Sequence, residues 1–255
     1  MNSHPWKRAA AASVAVAGLL AVVASADSVR TIERTVSKIA DGVYVITHKD
    51  VSDDWPQGNT LVVIGERGVV VVDACLLPSS AREDVEEIRR LTSRPVRYLV
   101  NTHWHIDHNG GNSAYVDAFP GVEIVAHAQT RRIMNAVNPA VARGWVDPKG
   151  ALAQQLGEFE KSLATGTGEG GAPLSDDARR TLEQQIADRK NQAAEFRSFR
   201  YEPPTVAFQR EMTLDLGDRE VRVMHLGRGN TPGDAVVYLP REKILATGDL
   251  LVRPV

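Results

Sequence analysis

Apolar positions along this chain recur with two spacings, and each spacing predicts its own kind of element. Short β-branched runs at 43–46, 61–64 and 69–72 predict successive strands, interrupted by Gly58, Gly65 and Gly68. The run at 69–72 is four valines, the composition expected of a strand buried on both faces. The spacing then turns helical. Val85, Ile88 and Leu91 share one stripe of a helix predicted over 79–91, with Ser79 or Ser80 near its start and Pro95 beyond its end. Strands are expected again at 96–100 and 122–126, followed by a helix from about Gln129.

Residues 151–197 read differently. Leu152, Leu156, Phe159 and Leu163 lie at helical spacing, as do Leu182 and Ile186, and the Gly-rich stretch 165–173 between them predicts a mobile loop. This helical insert is expected either to cover a site as a lid or to pack as two surface helices. From Thr205 strands resume, at 212–216, 221–225, 235–239 and 244–246. Strands, helices and strands again predict a layered α/β or α+β domain, and no solenoid period is present.

Composition narrows the class. With 255 residues, 43% hydrophobic and 24% charged, the chain is long and apolar enough for one folded domain. A net charge of −2 without a basic run or basic–aromatic patch argues against nucleic acid or anionic lipid as partner. The first residues form a separate unit. Lys7 and Arg8 precede a small and apolar stretch at 9–24, and Ala24, Ser25 and Ala26 supply the small residues a signal peptidase reads. The expected organisation is a signal peptide at 1–26, cleaved after Ala26, and a domain at 31–255 carrying the insert at about 151–197. The product would be exported, periplasmic or secreted, without stable membrane association. A retained anchor is the alternative, although the stretch is short for a span of about 20 residues. Cys75, the single cysteine, allows no internal disulfide, and its apolar surroundings predict a buried structural thiol.

The chemistry concentrates in one segment. Three of the seven histidines, His103, His105 and His108, fall within six residues together with Asp107. Imidazole nitrogen and carboxylate oxygen are the donors that zinc and similar ions prefer. His103 and His105 would point the same way from an extended segment. Asp107 and His108 follow where the chain turns into Gly110 and Gly111, and such a turn can hold two metal positions. His48 has no partner in sequence and is expected at the surface. His127 is expected in a supporting or capping role, and Trp55 and Trp104 in packing or at a substrate mouth.

The segment from Asn101 to Asn112, NTHWHIDHNGGN, resembles the signature of the metallo-β-lactamase superfamily, and it follows a strand as that family requires. Asp73, ending the valine run, resembles the acidic residue beneath the family's site. The stretch GNTPGD at 229–234 and Thr247-Gly248-Asp249 resemble the motifs of its second half. The resemblance implies a four-layer αββα sandwich, with the second half incomplete in this sequence. It implies that His103 and His105 hold one ion, Asp107 and His108 a second, and Asp249 bridges them. The cofactor would be one or two zinc ions, with iron as an alternative. Asp107 would orient a water or accept its proton. Asn230 stands where the family has histidine, so an amide oxygen is the donor offered there, a weaker one for zinc. His225 is read as a strand-end or supporting histidine, with ligation as the alternative. Family members continue past the Asp249 position to a last ligating histidine, so a fragment is the favoured reading of this sequence. The function implied is hydrolysis of an ester, thioester or lactam-like bond in a small-molecule substrate. A metal-binding pseudoenzyme and a single-iron oxidoreductase are the competing readings. Oligomeric state is not legible.

Overall fold

The computed structural model describes residues 32–49 and 56–252. The predicted signal at 1–26, Trp55 and the first part of the loop preceding Gly58 lie outside these residues. Seven strands, β1 (Arg34–Ala40), β2 (Val43–His48), β3 (Thr60–Gly65), β4 (Gly68–Val72), β5 (Val96–Val100), β6 (Glu123–His127) and β7 (Val206–Phe208), form a sheet in chain order. The first four pair antiparallel, and from β4 onward the pairing is parallel. A second, antiparallel sheet has the order β11 (Ile244–Ala246), β10 (Val236–Leu239), β9 (Glu220–Met224), β8 (Glu211–Asp215).

The valine run shows how the layers stack. Val69 and Val71 of β4 face α1 (Pro78–Leu91) and α2 (Asn112–Ala118), where Val85, Ile88 and Tyr115 are buried. Val70 and Val72 face the second sheet and pack with Leu214, Val221, Val223, Val237 and Leu239. All four valines are buried, as alternation between two covered faces requires. Helix, sheet and sheet make three layers of the expected αββα order. No helix covers the outer face of the second sheet among the described residues. None of the described helices is long and apolar enough to cross a membrane.

Three elements escape the pattern. β1 is mostly exposed, laddered to β2 and packed on the core only through Val36 and Ala40, so its apolar stripe is weak. β7 has three residues, and the seven-residue α2 has no side-chain cap. The insert forms α4 (Ala151–Thr165) and α5 (Asp176–Arg197), packed on each other and on α3 (Ala128–Val146). The connection expected to be a mobile loop is a compact turn, closed by Gly168 N–H to Ala172 O and Leu174 N–H to Gly166 O. Phe196 of α5 packs with Leu76, Leu77, Ile106 and Ala142, and Glu195 accepts from the Ser79 amide. The insert therefore packs as helices beside the His-rich loop.

Candidate metal centre

The His-rich segment starts where β5 ends and is shaped by one buried carboxylate. Asp73, in a left-handed conformation just past β4, accepts the Thr102 amide and the Thr102 hydroxyl, each at 2.8 Å. It also accepts His108 Nδ1 at 2.8 Å. Both ends of the loop are thereby fixed to one strand end. Between them the chain bends at 102–104 and closes a single 3-10 turn over Ile106–His108. This corrects the expectation of an extended segment: His103 and His105 converge through a bend, their ring centroids 4.6 Å apart. Gly110 and Gly111 are required by close packing, since a Cβ would stand 2.0 Å from Leu76 O and 2.2 Å from Ala74 O respectively.

Asp249 arrives from the other half of the chain, in a 3-10 turn over Gly248–Leu250. Gly248, with φ of 51°, lets that turn lie against Thr102, where a Cβ would meet Oγ1 at 2.7 Å. Asp249 Oδ2 stands 3.2 Å from His103 Nε2 and 3.9 Å from His105 Nδ1. Its Oδ1 is 3.1 Å from His108 Nε2, which is also 3.2 Å from Asp107 Oδ2. Two donor groups result, His103–His105–Asp249 and Asp107–His108–Asp249, each with its donor atoms within 4.8 Å of one another.

These groups fit metal ions on their own chemistry. The His103 ring sits with Nδ1 3.1 Å from Thr102 Oγ1, while its buried Nε2 aims into the group, near Asp249 but with no aligned hydrogen bond among the described residues. His108 shows the carboxylate–imidazole arrangement that orients metal ligands, with Asp73 on Nδ1 and Nε2 directed at the other carboxylates. Burial works to lower the His108 pKa, but Asp73, Asp107 and Asp249 outweigh it and hold it well above the usual imidazole value. A proton on Nε2 thus stands where a cation would. Burial likewise works to raise the Asp249 carboxyl, and the three imidazoles around it hold it far below the ordinary carboxylate range.

Asn230 meets this group only through Asp249, donating Nδ2 to Oδ2 at 3.4 Å, so its nitrogen rather than its oxygen faces the centre. Its loop is moulded by buried Asp234, which accepts the amides of Gly229 and Thr231 and the Thr231 hydroxyl. His225 belongs to neither donor group. It stacks on His127 at 4.0 Å and donates Nδ1 to Asp234 O. His127 caps α3, accepting the Gln129 amide.

His48 is corrected outright: it is buried, 2.9 Å from Asp84, and its proximity to Cys75 makes a third cluster. That cluster already has its cation, because Arg34 pairs with Asp84 at 2.9 Å. Burial and Asp84 also push the Cys75 thiol up, leaving it protonated and buried as expected.

Beside the centre opens a cleft of about 320 Å³ lined by Trp104, His105, Ile106, Asp107, Asn138 and Val141. Asn138 of α3 was not singled out by sequence, yet it donates to Trp104 O at 3.1 Å and to Asn109 Oδ1 at 2.7 Å. Its partners lie 34 and 29 residues away, so no local pattern reveals it.

Residues 53–254 match the profile of the metallo-beta-lactamase superfamily. A linear primary-alkylsulfatase from Pseudomonas sp. (strain ATCC 19151) is 22% identical over 189 residues, 73% of this chain and 32% of its own length. The alpha subunit of a 2,4-dinitroanisole O-demethylase from Nocardioides sp. (strain JS1661) is 30% identical over 105 residues, 40% of this chain and 32% of that protein. The chain thus spans about a third of the length of these curated relatives. Among solved structures, a metallo-beta-lactamase from Pontibacter korlensis superposes with a TM-score of 0.54 at 21% identity, covering 84% of this chain and 70% of the other. The metallo-beta-lactamase IND-7 gives 0.51 at 14%, covering 84% and 69%.

Proposed function

Because the chain belongs to the metallo-β-lactamase superfamily, we propose that it is a zinc-dependent hydrolase of an ester, thioester or lactam-like bond. One observation carries the reading: donors from the two halves of the chain meet as two groups sharing Asp249. His103 and His105 would hold one ion, Asp107 and His108 the other, and Asp249 would stand between them. Zinc held there supplies Lewis acidity, which acidifies water and polarises the oxygen of the scissile bond. Thr102 and Asp73 keep the His103 and His108 imidazoles oriented with Nε2 inward. Asp107, at the wall of the cleft, would orient the attacking water and take its proton. Trp104, Ile106 and Val141 give that cleft apolar walls beside the reacting position.

Metal analysis of purified protein together with a panel of chromogenic substrates tests this. Two zinc ions per chain and turnover of at least one ester, thioester or lactam are expected; similarity to an alkylsulfatase adds sulfate esters to the panel. Iron in place of zinc, with redox turnover, would replace the hydrolase by an oxidoreductase. One ion, with an inert panel, would make the chain a metal-binding protein without turnover, and no ion would refute the metal reading itself. That second reading draws on Asn230, which leaves the first group without a third imidazole.

The N-terminal pattern supports export as a further part of the proposal. Expressed from its first Met in a bacterium, the chain should reach the periplasm or medium with Asp27 as its new N-terminus. An intact N-terminus in the cytoplasmic fraction would refute that.

A further inference from the structure

A buried polar chain runs from α1 to Gly58, which packs on the backbone of Asp107. Asp84 and His48 both have fully buried side chains. Asp84 accepts from Thr60 Oγ1 at 3.1 Å and Arg34 at 2.9 Å, and His48 Nε2 lies 2.9 Å from its Oδ1. The other ring nitrogen, Nδ1, donates to Gly58 O at 2.7 Å. Gly58, with φ of 67°, lies directly on the main chain of Asp107, so close that a Cβ would stand 2.1 Å from Asp107 O. The same segment is tied to the neighbouring loop through Leu76 N–H to Gln57 O. The Asp107 side chain pairs with His108 inside the donor group, so its main chain is the part that Gly58 supports.

We infer that His48, held by Asp84, is a positioning residue for Asp107 and hence for the second donor group. In the first group, His103 does not share this support, and His105 meets it only as the residue that starts the turn. His103 is oriented by Thr102, and Thr102 by Asp73, with no contact to His48. Loss of His48 therefore acts unequally on the two groups. The Gly58 carbonyl loses a buried donor, the Gly58 segment is freed to shift, and the turn resting on it loosens at Asp107 and His108. This inference rests on the metal-binding reading for its functional consequence, but its structural half stands without an ion.

The test therefore uses two readouts. Amide hydrogen exchange is measured on metal-free wild type and His48→Leu, following the His108, Asn109 and Gly110 amides that close the turn. These should exchange about tenfold faster in the variant, the size expected for losing one buried hydrogen bond, while amides of β5 and β10 keep their rates. Zinc titration should then show weaker second-equivalent binding and first-equivalent binding within about twofold of wild type. His48→Gln, which can still donate to Gly58 O, should recover most of both effects, and it serves as the test variant if His48→Leu does not fold. Wild-type exchange at the turn, or equal acceleration across the whole protein, would overturn the inference. A wild type that binds fewer than two zinc ions would instead refute the two-ion reading, with the exchange result still deciding the role of His48.

Discussion

At the scale of residues, the centre joins four donors from one loop to Asp249, a carboxylate from the other half of the chain. His103, His105, Asp107 and His108 announce themselves within six positions. His48 does not, because its partners lie 10 and 36 residues away, and it reads as a surface residue until the fold buries it. Asp249 is one of 32 acidic residues and stands out only through a motif resemblance. Two substitutions separate the roles assigned here. Asp107→Ala should cut turnover by about 10²–10⁴, the scale of general acid–base assistance, while leaving the thermal melt of the metal-free protein nearly in place. Steady-state kinetics beside a circular-dichroism melt checks it, and turnover surviving the change would remove Asp107 from the mechanism. Asn230→His should tighten first-group zinc by roughly tenfold, within the range that changes around metal ligands produce. The exposed setting of Asn230 leaves room for the larger ring. Unchanged affinity in a chelator competition would show that position 230 does not face the ion.

At the scale of elements, period and burial decided what could be read. The valine strand and the α1 stripe carried strong periodicity and emerged close to their expected bounds. β1 and β7 carried little, since β1 is mostly exposed and β7 has three residues, with Val36, Ala40, Val206 and Phe208 as their contribution to the core. The insert was legible as helices, but its docking was not, because Phe196 meets residues far away in sequence. Glycines divide by what surrounds them, and that gives a paired prediction. Gly111 supports the turn beneath the centre, and a Cβ there meets Ala74 O and Ala81 Cβ, each at 2.2 Å. Gly111→Ala should therefore cost about 1–3 kcal/mol by overpacking. Gly144, inside α3, has nothing within 4 Å of the added methyl. Gly144→Ala should stabilise by about 0.4–1 kcal/mol, because it removes freedom from the unfolded chain without strain. Urea unfolding of the two variants tests the contrast, and equal shifts would mean that backbone approach is not what fixes the loop.

At the scale of the whole molecule, the two sheets share an apolar interior, but the centre gathers charge at their rim. Asp73, Asp107 and Asp249 converge there, each paired with His108. Asp249 comes from beyond β11 and the imidazoles from the loop after β5, so an ion bound to both ties the second sheet to the first. Binding that exists only in the folded state must then appear as stability. At zinc about 1,000 times its dissociation constant the gain per site is about 4 kcal/mol. A domain of this size gains roughly 2–4 °C per kcal/mol, so each zinc should raise the melting temperature by roughly 8–16 °C, and a strong chelator should remove that increment. Asp249→Ala should abolish most of the zinc-dependent part and little of the rest, since its carboxylate serves both groups. A melt indifferent to zinc and chelator would mean that the centre does not bridge the two halves of the fold.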